Sequence, residues 1–283
     1  MSRLRLAGTG VAKRFGRVAA LAGIDFEIEP GESVAILGAN GAGKSTWLRI
    51  LAGLAKPSDG RFVAELAEGS ARTALSREQL RGRVGYVGHA TLLSGELTAR
   101  ENLVFAARLH GRRPSRAEQD ALLAELGLAE LADRRVSTLS RGTAQRVSIA
   151  RGVVHEPDVL LLDEPFTGLD EVAAARLSRQ LSRLRARGCS LVVITHDPQR
   201  AVELADRALL LHRGRLRGAT RRSEGEAFGA PALRDALVRL AREDEANAEA
   251  GAGRGAGERD GAGRERDTNG DRGERAGTPE RGA

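Results

Sequence analysis

The chain is poor in the residues that would cross-link it or carry it across a membrane. Its 283 residues include a single cysteine, Cys189, which excludes an internal disulfide and fits a reducing compartment. No apolar stretch approaches the roughly 20 residues that span a bilayer. The first ten residues, MSRLRLAGTG, lack the apolar core of a secretory signal. We therefore expect a soluble protein, or one attached to a membrane only through a partner.

Lysine is also scarce, because only Lys13, Lys44 and Lys56 accompany the many arginines. The net charge of +7 favours an anionic partner, such as a nucleotide, a nucleic acid or a lipid surface. A solvated basic surface is the alternative. Cys189 precedes the apolar run Leu191–Ile194 and is interpreted as a small buried hydrophobe without a catalytic role.

Segment 247–283 lacks aromatic residues as well as Leu, Ile and Val. It carries seven Arg and eight Asp or Glu, so it cannot bury enough apolar surface to offset chain entropy. We predict a disordered, charged Gly/Arg-rich tail. An RNA-binding arm is the alternative, but the interleaved acids and the missing aromatics count against it, and we expect no nucleic-acid partner. The basic excess therefore belongs to the folded part.

The rest of the chain alternates short apolar runs with helical patterns. The continuous apolar runs are typical of a parallel sheet covered on both faces, and they predict strands over Ser33–Leu37, Val84–Val87, Val159–Leu162 and Leu191–Thr195. Helical patterns cover Ser115–Leu126 and Glu171–Arg187, and a last helix is predicted over 232–243. This alternation predicts an α/β fold.

A glycine-rich stretch, GANGAGKS, runs from Gly38 to Ser45 between a predicted strand and the helical pattern STWLRILAGL. Strand, loop and helix are the context that a phosphate-binding loop requires. Its glycines let backbone N–H groups converge on phosphate oxygens, and the helix N-terminus adds positive charge. Lys44 is predicted to bridge the β- and γ-phosphates and Ser45 to bind Mg²⁺. The residues of this stretch and of the helix start predicted to bind the nucleotide are Gly38, Asn40, Gly41, Gly43, Lys44, Ser45 and Thr46.

Two carboxylates end the apolar run VLLLDE, at Asp163 and Glu164. Asp163 suits the Mg²⁺ shell, and Glu164 suits the base that polarises an attacking water. Alone, this ending is a weak signal. Together with an upstream phosphate loop it predicts a nucleotide-hydrolysing site.

Further motifs stand around these carboxylates. LSRGTAQR occupies Leu139–Arg146, TGLD occupies Thr167–Asp170, and LVVITHD places His196 after the last core strand. With the phosphate loop and with Phe15 ahead of it, these motifs resemble those of ATP-binding-cassette (ABC) ATPases, in the same order. In that resemblance LSRGTAQR is the signature motif, Asp170 belongs to the D-loop, His196 is the switch histidine and Phe15 stacks on adenine.

The resemblance implies a particular architecture. It predicts an ABC-ATPase core with an antiparallel β subdomain and a helical signature subdomain at about 92–150, all within residues 1–222. A C-terminal helical extension covers 223–246. It also implies a dimer in which Ser140 and Gly142 contact the γ-phosphate held by the opposite copy. The signature departs from the family's LSGGQ, since Arg141 replaces a glycine and Thr143 replaces the glutamine.

His89 occupies the position after the strand RVGYV where most ABC ATPases carry a glutamine. A neutral imidazole can accept a hydrogen bond from a metal-bound water, so we predict that His89 serves in the nucleotide site. Direct haem binding is the alternative and is disfavoured, because a loop facing a phosphate and a partner is a poor place to bury a porphyrin. The other histidines, His110, His155 and His212, are expected in loop or surface contexts.

The stretch GHATLLSGELTARENL, with the pair Gly88-His89, resembles the haem-exporter ATPases of cytochrome c maturation. DEPFTGLD is similar to that family's DEPFTALD. The resemblance implies an ATPase subunit on the cytoplasmic face of the inner membrane, docked on an integral membrane permease. ATP and Mg²⁺ are its cofactors, and haem is handled only indirectly. The alternatives are the ATPase of an ABC-2-type drug, lipid or polysaccharide exporter, and a soluble ABC ATPase such as one for iron–sulfur assembly.

Overall fold

Two β-sheets organise the computed structural model, which describes residues 4–69 and 71–256. The first sheet is antiparallel and has the strand order β2-β1-β4-β5. Its strands are β1 (Leu4–Phe15), β2 (Val18–Ile28), β4 (Asp59–Glu68) and β5 (Ala71–Ala74). β1 and β2 alternate buried and exposed positions, as expected for a sheet with one covered face.

The second sheet is the centre of the fold and has the order β10-β9-β3-β8-β7-β6. Its strands are β3 (Ser33–Leu37), β6 (Val84–Val87), β7 (Val159–Asp163), β8 (Ser190–Ile194), β9 (Arg207–His212) and β10 (Arg215–Arg221). All neighbours pair in parallel except β9 and β10. Every residue of β3, β7 and β8 is buried, because helices or the first sheet cover both faces. All four predicted strands are present, with ends within one residue of prediction.

Eight helices accompany the sheets in the described part of the chain. They are α1 (Lys44–Leu51), α2 (Arg77–Arg83), α3 (Ala99–Leu109), α4 (Arg116–Glu125), α5 (Arg141–Val153), α6 (Glu171–Ala186), α7 (Pro198–Leu204) and α8 (Ala230–Ala256). Short 3₁₀ turns lie at 129–131, 136–138 and 222–228. Thr98 and Ser115 start α3 and α4 with capping boxes, in which each side chain accepts from a backbone N–H three residues on. No described helix is both long and apolar enough to traverse a bilayer.

The helices α3, α4 and α5 form the helical region predicted at about 92–150. Their apolar faces meet in one buried cluster that includes Leu103, Leu123 and Val147, and this cluster continues to β7 and β8 through Leu160 and Leu191. This packing sets the start of α5, where the signature motif lies, at a fixed place beside the central sheet.

The last helix begins and ends outside its predicted range of 232–243. Leu233 packs in a buried cluster with Phe228 and Leu210, as the helical spacing predicts. The helix also includes 247–256, which the composition assigns to a disordered tail. Alanine has the highest helix propensity, and the alanines among these glycines favour continuation of the helix. The rest of the predicted tail, 257–283, lies outside the described residues.

The fold buries three side chains that could react or titrate: Cys189, His155 and His212. Cys189 is buried, as predicted, and burial raises the pKa of its thiol to about 12. His155 and His212 are both buried. The expected loop or surface context is wrong for His212, which ends β9, whereas His155 does lie in a turn after α5. His155 follows α5 and stacks on His110 with ring centroids 3.7 Å apart. Sequence spacing alone did not indicate that two distant histidines pack face to face.

Candidate functional site

The glycine-rich loop connects β3 to α1, and two of its glycines lie against neighbouring backbone. A Cβ on Gly38 would come within 2.1 Å of the Leu211 carbonyl oxygen. A Cβ on Gly43, which has φ +103°, would come within 2.3 Å of the Ala20 carbonyl oxygen. Because no side chain fits at either position, β2 and β9 hold the loop tightly over the start of α1.

Lys44 is the first residue of α1 and is only 8 % exposed. Its ammonium donates hydrogen bonds to the carbonyl oxygens of Gly38 and Ala39, both at 2.8 Å. Burial lowers the pKa of Lys44, and the nearby Glu164 and Asp163 carboxylates oppose that shift. The loop therefore curls around its own lysine and keeps the amine beside the two carboxylates.

The other predicted residues of the loop lie at its open side. Asn40, Gly41 and Ser45 are exposed, and Thr46 is half-buried in the first turn of α1. The start of α1 thus presents backbone N–H groups and the Ser45 hydroxyl in a region of positive helix potential. This arrangement suits a phosphate chain.

Asp163 ends β7 and is 5 % exposed, so its carboxylate is buried near the phosphate loop. Together with the Ser45 hydroxyl it supplies hard oxygen ligands, the type that Mg²⁺ prefers. Among the described residues no group of three or more His, Cys, Asp or Glu could hold a metal. The residues therefore fit Mg²⁺ that arrives with phosphate oxygens and water, rather than a metal held by protein alone.

Glu164 follows Asp163 in a left-handed backbone conformation, with φ +52°. Its N–H donates to the Ile194 carbonyl oxygen at 3.0 Å, which ties this turn to the end of β8. A left-handed conformation is strained for a non-glycine residue and is common at functional sites. It turns the chain sharply at the point where the carboxylate leaves the sheet.

His196 lies against Glu164, with 2.9 Å between its Nδ1 and the Glu164 Oε2. An ionised carboxylate only accepts, so Nδ1 carries the proton in this hydrogen bond. The His196 side chain is mostly exposed, whereas that of Glu164 is mostly covered. The two residues, predicted separately as base and switch, therefore form one hydrogen-bonded pair.

His89 joins this group at a cavity of about 30 Å³. His89, Asp163, Glu164, Thr167 and Arg141 are among the residues that line it. Such a volume admits one water molecule and excludes a nucleotide. The structure thus brings His89 together with the predicted catalytic carboxylates. The presence of Arg141 was not predicted, although its departure from the signature pattern was the signal that could have indicated it.

The signature residues lie at the start of α5. Ser140 is the N-cap, and its hydroxyl accepts from the Thr143 N–H at 3.3 Å and lies 2.9 Å from the Thr143 Oγ1. Gly142 packs against the D-loop, where a Cβ would lie 2.8 Å from the Gly168 carbonyl oxygen. Among the described residues, no hydrogen bond joins Ser140 or Gly142 to the phosphate loop. Their contact with a second copy stays a prediction.

Two further predicted residues lie at the start of α6 and at the end of β1. Asp170 is the N-cap of α6, where its carboxylate accepts from the Ala173 N–H at 2.7 Å. Phe15 ends β1 with 55 % of its surface exposed, and the Lys13 ammonium lies 5.3 Å from its ring centroid. An exposed aromatic ring with a cation beside it can stack on a nucleotide base.

The loop that carries His89 is hydrogen-bonded to the helical region. The Ser148 hydroxyl of α5 donates to the Thr91 carbonyl oxygen at 2.8 Å. The buried Asn102 of α3 donates to the carbonyl oxygens of Ser94 and Thr98 and accepts from the Ser94 N–H. Sequence reasoning missed Ser148 and Asn102, because a polar residue on a helix carries no local signal of a distant loop. These bonds make the loop and the helical region one connected unit.

Comparison with known proteins matches this chain to one family. The family profile described as "ABC transporter" matches residues 21–167. The sulfate/thiosulfate import ATP-binding protein of Caulobacter vibrioides is 38 % identical over 75 % of this chain and 63 % of its own length. The Nod factor export ATP-binding protein I of Paraburkholderia xenovorans is 39 % identical, over 72 % of this chain and 67 % of its own. The chain spans about three fifths of the length of the curated sulfate/thiosulfate import proteins that it matches.

A solved structure shares the fold. The dimeric structure of an ATP-binding cassette in a post-hydrolysis state bound to ADP and Pi has a TM-score of 0.68 and 29 % identity. The match covers 76 % of this chain and 98 % of that one. The predicted α/β ABC-ATPase fold, with its antiparallel and helical parts, is confirmed.

Proposed function

Because the chain belongs to the ABC transporter family and carries its ATP-hydrolysing domain, which uses ATP with Mg²⁺, we propose that it is the ATPase subunit of a membrane transporter. The main support is a group of four side chains that lie where the phosphate loop meets the end of β7: Lys44, Asp163, Glu164 and His89. In this proposal two copies dimerise and dock on an integral membrane permease. The chain then lies peripherally at the cytoplasmic face of the inner membrane.

Each residue has a defined part in the proposed reaction. Lys44, now bonded to its own loop carbonyls, transfers its hydrogen bonds to the terminal phosphates. Ser45 and Asp163 would hold Mg²⁺, which would neutralise phosphate charge. Glu164 accepts a proton from the water that the adjoining cavity admits, while His196 fixes its carboxylate. His89 contacts the same water from the opposite loop.

For the transported substrate, our first candidate is haem handling for c-type cytochrome assembly. Support comes from the Gly88-His89 pair and from DEPFTGLD, both similar to the haem-exporter ATPases. In this candidate His89 acts on the nucleotide and haem contacts other subunits. Hydrolysis drives either haem export itself or release of haem from a carrier on the far side of the membrane.

A second candidate is the ATPase of an oxyanion importer. It is favoured by the relatives, since several are named as sulfate/thiosulfate import proteins and one, from Mycobacterium tuberculosis, as a molybdenum import protein at 38 % identity. The Nod factor export protein, at similar identity, favours an exporter of the ABC-2 kind instead.

Purification from membranes with the bound permease tests the proposal. ATP turnover by the complex is expected to rise severalfold with the true substrate, so haem, sulfate, thiosulfate and molybdate are compared in matched vesicles. Stimulation by an oxyanion alone would reject haem handling. A chain that copurifies with no membrane protein would reject the transporter subunit and favour a soluble ABC ATPase.

Substitution of His89 distinguishes a role in the nucleotide site from direct haem binding. His89→Gln restores the residue more usual in the family and should keep at least about half of the turnover, whereas His89→Ala should lose about tenfold because the water contact is gone. Turnover and haem absorbance are measured for both variants. A haem spectrum that both substitutions abolish, with turnover intact, would make His89 a haem ligand instead.

A further inference from the structure

Arg141 stands where the signature pattern has glycine, and its side chain is exposed at the first position of α5. Within the described residues its guanidinium makes no hydrogen bond or ion pair. It lines the small cavity together with Glu164, Asp163 and His89 of its own copy. An unpaired guanidinium at the edge of a site with two carboxylates is positioned to bind an anionic group.

The residues on either side of Arg141 belong to a different nucleotide site. Ser140 and Gly142 are predicted to contact the nucleotide held by the opposite copy. Their positions are set by the Ser140 cap and by the packing of Gly142 on Gly168. The start of α5 would therefore serve two sites. Ser140 and Gly142 would contact the nucleotide of the partner, while the Arg141 side chain lines the cavity of its own copy.

We propose that Arg141 is a positioning residue for Glu164 of its own copy, carried on the loop that completes the partner's nucleotide site. This inference rests on the proposed ATPase function. Nucleotide bound by the partner would fix the start of α5, and Arg141 would then hold the Glu164 carboxylate toward the cavity. Binding at one site would thus prepare hydrolysis at the other, which is a coupling between two sites.

The lining of the cavity supports Glu164 as the group that Arg141 contacts. Asp163 and Glu164 line the same cavity from the end of β7, beside the Arg141 side chain. A guanidinium presents several N–H donors in a planar fork that suits a carboxylate, so a fixed start of α5 would let Arg141 hold Glu164.

Mixed dimers, prepared from copies with two different tags, test whether Arg141 acts within its own copy. Glu164→Gln removes the proposed base of one copy but leaves its ATP binding, so both nucleotide sites stay occupied. The first dimer joins an Arg141→Ala copy to a Glu164→Gln copy. Its one remaining Glu164 lies in the copy without Arg141, and the facing signature loop keeps Arg141. The second dimer joins a Glu164→Gln/Arg141→Ala copy to an unchanged copy. There the copy with Glu164 keeps Arg141, and the facing signature loop lacks it.

Both dimers contain the same two substitutions, so only their arrangement differs. We expect the first dimer to hydrolyse ATP about tenfold more slowly than the second, since a displaced catalytic group costs at least this much. Equal rates would overturn the proposal. The reverse order would overturn it too and would assign Arg141 to the partner's nucleotide.

Full dimers decide the matter if dimers with one working site are inactive. Arg141→Ala should lower kcat about tenfold with KM within threefold, and Arg141→Lys should recover part of kcat, because the positive charge returns without the planar guanidinium. Arg134→Ala, which removes an exposed arginine outside the cavity, is the matched control. An unchanged kcat, or a loss that Lys does not recover, would overturn the proposal. Absence of turnover in the unchanged dimer would instead reject the proposed ATPase function.

Discussion

The two halves of the proposed site differ in how far one copy of the chain completes them. In the phosphate half, made of Gly38–Ser45 with Asp163, the lysine and the aspartate are buried and the loop is closed by neighbouring strands. In the signature half, Ser140–Gly142, the Ser140 hydroxyl bonds within its own helix start and the Arg141 guanidinium is free among the described residues. Lys44 and Asp163 of the phosphate half are buried, whereas Ser140 and Arg141 of the signature half are exposed.

The largest expected effect lies in the phosphate half. Lys44→Ala removes the buried ammonium, so phosphate charge is left uncompensated in a loop shaped around it. ATP affinity should fall by about tenfold to a hundredfold, and turnover should be lost. A fluorescent-nucleotide titration measures the affinity. Lys56→Ala, an exposed lysine after α1, is the control and should bind as the unchanged chain does. Near-normal affinity in Lys44→Ala would contradict the assigned role.

Glu164→Gln should separate binding from chemistry. An amide cannot accept the proton of water, so turnover should fall about 100-fold or more while ATP still binds. ATP-bound dimers should then accumulate in size-exclusion chromatography, which shows that the two halves meet. Glu171→Gln, an exposed glutamate at the start of α6, should leave turnover unchanged. If Glu164→Gln turns over normally, the base lies elsewhere.

Ser140 tests whether the signature half acts on a second copy. Ser140→Asp keeps an N-cap but places a negative charge opposite the γ-phosphate, so dimerisation with ATP should weaken about tenfold. ATP affinity of the single chain should stay within twofold. Ser140→Asn caps equally well without the charge and should lose much less. Weaker binding by the single chain would place Ser140 in its own copy's site and break the contrast between the halves.

The phosphate half and the signature half also differ in how well the sequence predicted them. Local patterns predicted the strand bounds and the positions of Lys44, Asp163 and Glu164. A buried parallel strand is a continuous apolar run, and a phosphate loop has a motif of fixed spacing. The hydrogen bond from Ser148 to the His89 loop and the approach of Arg141 to the cavity depend on long-range packing, which no single segment encodes. The stacked pair of His110 and His155 was missed for the same reason.

The smallest expected effect concerns the buried His155, which belongs to neither half of the site. Burial lowers the pKa of His155 from 6.5 to about 4, with further lowering by His110, Arg151 and Arg112. The unfolded chain therefore binds this proton first, so the stabilising effect is full above about pH 6.5 and is lost as the pH falls toward 4. Between pH 7 and pH 5 the free energy of unfolding should fall by about 2 kcal/mol from this group.

Urea unfolding at the two pH values measures the change. His155→Gln should be less stable at pH 7, because the ring packs on His110, but should lose less stability on acidification. An equal loss in both chains would assign the pH dependence to other groups.

Cys189 has a consequence for the redox chemistry of the whole chain. It is the single thiol, it is 7 % exposed, and its pKa of about 12 leaves almost no thiolate near neutral pH. The thiol of Cys189 is therefore nearly inert toward thiol oxidants and alkylating agents. A cysteine introduced at Ser140 would be the fastest-reacting thiol in the molecule. Its protection from alkylation when ATP is added would directly report closure of one copy on another.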